Sequence, residues 1–172
     1  HTAIQQMVNW QAQGLNLPVS VNMDAQLLQQ PDVMSWLTTA LARYPSLPPG
    51  NLQLEVLETS ALDDMVHVSD VMRQCSAIGI GFALDDFGTG YSSLTYLKRL
   101  PAQELKIDQS FIRDMLDDAE DLAILQGVLG LATAFQRSVI AEGVETVEHG
   151  RMLLRLGCEH AQGYAIDRPM PA

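Results

Sequence analysis

The chain has 172 residues, 47% of them hydrophobic and 18% charged, a balance that fits one globular domain with a substantial core. Ten Lys and Arg stand against 21 Asp and Glu, a net charge of −11, and no Lys or Arg cluster occurs, which excludes a general nucleic-acid surface. No run of about 18 apolar residues and no signal-peptide order is present, and Cys75 and Cys158 form no C-x-x-C pair, so the segment reads as cytoplasmic and reduced, with no membrane contact and no zinc site.

Taken in order, Thr2 to Gln13 carries apolar residues at helical spacing and stops at Gly14. Pro18 to Val21 reads as a strand ending at Asn22, Met23 to Gln30 as polar and irregular, and Val33 to Tyr44 as a helix halted by S-L-P-P-G. Leu52 to Leu57 is the next strand, with Glu55 and Glu58 in or just beyond it. A helix is expected over Asp63 to Ile78, its apolar side formed by Met65, Val66, Val68, Val71, Met72 and Cys75. The apolar run from Phe82 ends in Asp85 and Asp86, then a loop with Gly88 and Gly90, then a short helix over Ser92 to Lys98. Glu104 to Ile107 is a strand carrying Lys106 and Asp108. Phe111 to Phe135 is helical with a break near Asp117. Val139 to Ala141 is a strand ending at Glu142, Thr146 to Leu156 a helix, and Ala161 to Tyr164 a last strand holding Gln162.

Two readings of the Asp85 and Asp86 pair stand open. Adjacent carboxylates repel and lose hydration when half buried, so a fold keeps them where a cation or a proton shares the charge. Asp and Gly are also ordinary turn residues, and the stretch reads equally as a solvated turn.

Short apolar strands alternating with helices imply parallel βαβ units. Six strands are counted, most with a polar or ionisable group near the end: Asn22, Glu55, Asp85 with Asp86, Lys106 with Asp108, Glu142 and Gln162. A (β/α) barrel gathers strand ends around one mouth, where such enzymes keep their chemistry. An open doubly wound sheet is the rival, but neither G-x-G-x-x-G nor G-x-x-x-x-G-K occurs. The expected fold class is therefore α/β, a TIM-type (β/α) barrel.

The motifs V-N-M, L-E-V-L-E-T-S, D-D-F-G-T-G-Y-S-S-L, L-K-I-D-Q-S-F, A-E-G-V-E-T and Q-G-Y, in that order and down to the closing R-P-M-P, resemble the EAL domain family of bacterial cyclic di-GMP phosphodiesterases. The resemblance runs through essentially the whole chain. It implies a TIM-type barrel that hydrolyses one phosphodiester of cyclic di-GMP to the linear dinucleotide pGpG, using a two-metal site of Mg²⁺ or Mn²⁺. The family's Glu-Ala-Leu tripeptide is absent, and a complete barrel has about 250 residues and eight strands. With no initiator Met and a start that looks mid-helix, the chain is expected to be the C-terminal three-quarters of an EAL domain, six of eight βα units. Such a piece is expected to be inactive alone and active in its parent.

Carried over by position, the resemblance makes Asn22, Glu55 and Asp85 ligands of one metal and Asp86 a ligand of the second. Glu142 is a further metal-site carboxylate with Asp108 close by, and oxygen donors of this kind suit Mg²⁺ or Mn²⁺. Lys106, Glu142 and Asp86 are the catalytic candidates, Lys106 as a cation that orients the attacking water. Gln162 and Glu145 support substrate or site. Glu58 anchors the Asp86 to Ser93 loop, whose Gly88 and Gly90 permit close approach. Expected partners are cyclic di-GMP, a second copy in a homodimer, and sensory or GGDEF-type domains elsewhere in the parent, which other domains could tether to a membrane.

Singly, these residues have plainer readings: Asn22 as a turn former, Lys106 as a surface charge, Glu142 and Glu145 as helix N-terminal acids. The four His residues have no ligand spacing, Met65, Met72 and Met115 read as core, and Trp36 and Tyr44 as packing. Leu57 stands where the family has Thr, and Asp24 where it has Ser; neither change removes a ligand. The rival functions are a cyclic di-GMP receptor without catalysis and a dimerisation module.

Overall fold

The structure is a computed structural model, and it describes residues 2–61, 64–90 and 94–170. Strands and helices alternate along the chain, and the hydrogen-bonded strand order follows the sequence, β1 to β6, the topology of a TIM-barrel-like α/β fold. The residues fall into two compact units, His1–Ala83 with Leu94–Ala102, and Leu84–Ser93 with Gln103–Ala172.

The first unit holds α1 (Thr2–Ala12), β1 (Val19–Asn22), α2 (Ala25–Leu28), α3 (Val33–Ala42), β2 (Leu52–Leu57), α4 (Glu58–Ala61), α5 (Met65–Ala77), the first half of β3 (Ile80–Phe87) and α6 (Leu94–Arg99). β1 and β2 pair in parallel, with Asn22 opposite Glu55. Leu52, Leu54 and Val56 alternate inward along β2 while Gln53 and Glu55 are half-buried, so a period of two separates packing from chemistry on one strand. Val68, Val71, Met72 and Cys75 supply the buried face of α5, and Val33, Leu37 and Ala40 that of α3. Each such large side chain contributes about 1.5–3 kcal/mol relative to exposure.

The second unit holds the end of β3, β4 (Glu104–Ile107), α7 (Gln109–Asp114), α8 (Ala119–Ala134), β5 (Ser138–Ala141), α9 (Val147–Arg155) and β6 (His160–Ala161). β4 pairs in parallel with β5, and β5 with β6. Leu84, Leu105, Ile107, Ile112, Met115, Leu125 and Leu153 are fully buried. Asp108, Asp118 and Thr146 cap α7, α8 and α9 by accepting from backbone N–H groups two or three residues on.

Several expected boundaries shift for identifiable reasons. Residues 25–28 are helical rather than irregular, because the Asp24 carboxylate accepts from the Gln26 N–H at 2.9 Å and starts a turn. β3 runs through both aspartates to Phe87 instead of ending at them. The last strand is only His160–Ala161, and Gln162 follows it. On α5, Val66 is 75% exposed rather than part of the apolar side. Met72 and Met115 are core, whereas Met65 is half-buried. Trp36 is 46% exposed, and Tyr44, half-buried, donates its hydroxyl to Gln5 Oε1 at 2.8 Å. The expected starts at Asp63 and Ser92, and the last proline of R-P-M-P, lie outside the described residues.

Candidate active site

In the second unit the strand ends converge on a set of charges. Asp85 and Asp86 come from β3, Lys106 from β4, Glu142 from the residue after β5, and Gln162 from the residue after β6. On a regular strand consecutive side chains point to opposite faces. Asp86 breaks that rule with φ 52°, a left-handed conformation that Asp tolerates better than most residues. The Thr89 hydroxyl holds the turn by donating to the Asp86 carbonyl at 2.9 Å. Asp85, Asp86 and Glu142 can consequently offer carboxylate oxygens that all lie within 4.8 Å of one another.

Lys106 is what allows the carboxylates to stand so close. Its side chain is 6% exposed, and Nζ lies 3.0 Å from Asp85 Oδ1 and 2.7 Å from Glu142 Oε1. It is thus a buried ammonium, not the surface charge its position beside a strand also allowed. Gln162 Nε2 donates to the same Glu142 oxygen at 2.5 Å. Burial, then the nearby Asp85 and Asp108 charges, push the Asp86 carboxyl above its usual range, and Lys106 offsets this in part.

Asp108 plays a different part from the three converging acids. Its Oδ1 accepts from the Ser110 N–H at 3.0 Å and from the Ser110 hydroxyl at 2.5 Å, and its nearby charge helps to raise the Asp86 carboxyl. It caps α7 and abuts the cluster without joining it. In the first unit, Asn22 is exposed and Glu55 half-buried, and the two are register partners on β1 and β2. Glu58 is 4% exposed and opens α4; residues 91–93 of the loop it was expected to anchor lie outside the described residues. Gly88 has φ 103°, and a Cβ there would stand 3.0 Å from Phe111 Cε2, so the loop passes that ring as only glycine can.

Beside the cluster lies a cavity of about 560 Å³. Glu142 and Gln162 form the part shared with the charged set, and Glu145, which is exposed, is also on its wall. Gln109, Tyr164, Asp167 and Arg168 line the rest, and sequence reasoning gave them no role. Their signal was present for Arg168, within R-P-M-P, but a single Arg near a chain end has no spacing rule to mark it.

Carboxylate oxygens gathered around an excess of negative charge are the donor set that hard divalent cations take. Asp85, Asp86 and Glu142 therefore fit such a cation. A thiolate-preferring metal is poorly served, since Cys75 and Cys158 are buried free thiols raised by burial.

Comparison with known proteins agrees with this geometry. The family model described as EAL domain matches residues 1–169. A bifunctional diguanylate cyclase/cyclic di-GMP phosphodiesterase, MucR of Pseudomonas aeruginosa, is 44% identical over 154 residues, covering 90% of this chain and 22% of that protein. The chain thus spans about a fifth of that relative's length. The solved PaMucR phosphodiesterase in complex with c-di-GMP superimposes with a TM-score of 0.90 at 43% identity, over 97% of this chain and 68% of that one. Klebsiella pneumoniae BlrP1, in a manganese/cy-diGMP complex, gives a TM-score of 0.78 at 30% identity, over 86% of this chain and 38% of that one. The chain belongs to the EAL domain family.

Proposed function

We propose that the chain is the cyclic di-GMP phosphodiesterase part of its protein, hydrolysing one phosphodiester of cyclic di-GMP to linear pGpG with Mg²⁺ or Mn²⁺. The observation that carries this is the convergence of Asp85, Asp86 and Glu142 around the buried Lys106. The relatives named for that activity, and the neighbour solved with manganese and the dinucleotide, support the same reading. Asp85, Asp86 and Glu142 are all in place, which favours the enzyme over the receptor; the glutamate of the Glu-Ala-Leu tripeptide is not among the residues of this chain.

In this reading Asp85, Asp86 and Glu142 are metal ligands with Asp108 beside them, and Asn22 and Glu55 are ligands by their match to the family's motifs. Bound divalent cations would polarise the phosphoryl oxygen and supply a water ionised near neutral pH. Lys106 has two tasks. It holds Asp85 and Glu142 in place through its two ion pairs, and as a buried cation beside the acids it orients the attacking water. Gln162 fixes the Glu142 carboxylate by hydrogen bonding, and Glu145 borders the substrate cavity. Gly88 and Gly90 let the β3 loop approach substrate, and Glu58 supports it. The homodimer, the cytoplasmic setting and the attached sensory or GGDEF-type domains belong to the same proposal, with sedimentation and fractionation of the full-length protein as their checks.

Turnover of cyclic di-GMP by the full-length protein, with Mn²⁺, with Mg²⁺ and with EDTA, tests the function. The expected result is metal-dependent pGpG, abolished by Glu55→Ala. Tight binding without cleavage would replace the enzyme by a receptor.

A further inference from the structure

Arg168 is the cation among the residues that line this cavity, and the proposed chemistry gives it no role. The other charged residues lining it are Glu142, Glu145 and Asp167, all acids. A cyclic dinucleotide carries two phosphates, and only the scissile one is served by the metal carboxylates. A second phosphate lying against this wall would be repelled by its acids unless a cation met it. Arg168 is placed to prevent that. Its guanidinium carbon lies 4.9 Å from the centroid of the Tyr164 ring, a cation–π arrangement that fixes the side chain. The forked N–H groups of a guanidinium held near a ring in this way suit phosphate oxygens. Among the described residues no carboxylate forms an ion pair with that side chain; the Asp167 carboxylate is turned to the Arg168 backbone N–H, at 2.8 Å.

We propose that Arg168, braced on Tyr164, binds the phosphate of the cyclic dinucleotide that is not cleaved, and so positions the other one at the carboxylate cluster. This rests on the phosphodiesterase reading. Charge-assisted hydrogen bonds of this kind correspond to roughly a 10–100-fold effect on affinity.

The test uses the full-length protein with Mn²⁺ and two substrates, cyclic di-GMP and bis(p-nitrophenyl) phosphate, which has a single phosphate. Arg168→Gln should raise KM for cyclic di-GMP about 10-fold or more, change kcat less than about threefold, and leave bis(p-nitrophenyl) phosphate hydrolysis within about twofold. Arg168→Lys should recover part of the loss by keeping the charge without the fork, and Tyr164→Leu should produce a smaller rise in KM. Calorimetric binding of cyclic di-GMP in EDTA should weaken by the same factor in Arg168→Gln. An unchanged KM in an active Arg168→Gln variant overturns the role of Arg168 and leaves the phosphodiesterase reading intact. Equal losses on both substrates would mark a structural residue and also overturn it. A wild-type protein that neither binds nor cleaves cyclic di-GMP sinks both.

Discussion

A left-handed aspartate is what turns two consecutive strand residues into one carboxylate pair. At φ 52°, Asp86 accepts a conformation costly for most side chains, and Asn is the residue best able to replace it there. Asp86→Asn should fold with near wild-type stability and lose metal affinity, whereas Asp86→Val should also lose about 1–3 kcal/mol in urea unfolding followed in EDTA. Equal stability of the two variants would show that the backbone at this position is not strained. Lys106 matters in a different way. Buried between Asp85 and Glu142, it cannot be removed without leaving like charges facing one another. Lys106→Met should therefore cost on the order of 3–5 kcal/mol in EDTA, with a divalent cation restoring part of it. A variant as stable as wild type in EDTA would mean that the ammonium does not hold the acids together. The sequence showed the residue types at both positions. It did not show the sign of φ at Asp86, nor whether Lys106 faced solvent, because both depend on neighbouring strands.

At the scale of elements, short-range signals were readable and long-range ones were not. β2 and β4 match their expected ranges residue for residue, since clean apolar alternation bounded by polar residues defines them locally. α2 was missed because a four-residue helix depends on one cap, Asp24, rather than on periodicity. β6 was overextended because its end is set by tertiary contact. Val144 N–H donates to the Gln162 carbonyl at 3.0 Å and Ala165 N–H to the Val144 carbonyl at 2.9 Å, so residues 162–165 turn aside and lock onto the segment after β5. Gly163 makes that lock possible, because at φ 157° a Cβ would collide with the Val144 backbone. Gly163→Ala should displace the Glu142 to Glu145 segment, lowering the melting temperature and weakening metal binding together; a variant that loses neither would show that the two segments move independently. The buried face of α5 offers a chemical check. Burial pushes the Cys75 thiol from 9.0 up to about 11. Its neutral form is favoured in the folded state, so this contribution to stability is complete below pH 9 and is lost as pH rises through 11. At pH 8 Ellman's reagent should not reach Cys75 until the protein unfolds; prompt labelling of the native protein would contradict its burial.

Over the whole molecule, the alternation of strands and helices and the six ordered motifs make the TIM-barrel-like fold and the family legible in the sequence. The candidate site was legible as a set of residue types at strand ends, and less so as an arrangement. Asp108, expected close to the metal acids, also caps α7, a second task that its residue type alone does not announce. Arg168 and Tyr164 went unassigned because their pairing spans four residues of irregular chain. A net charge of −11 means that an anionic substrate approaches against the molecule's own field, so divalent cations have to prepare the site electrostatically as well as chemically. The central claim is that Asp85, Asp86 and Glu142 form a metal centre. Calorimetric titration of the full-length protein with Mn²⁺, in wild type and in Asp85→Asn, tests it most directly. The account predicts saturable binding in the wild type and its loss in the variant. Identical Mn²⁺ binding by both proteins would contradict it.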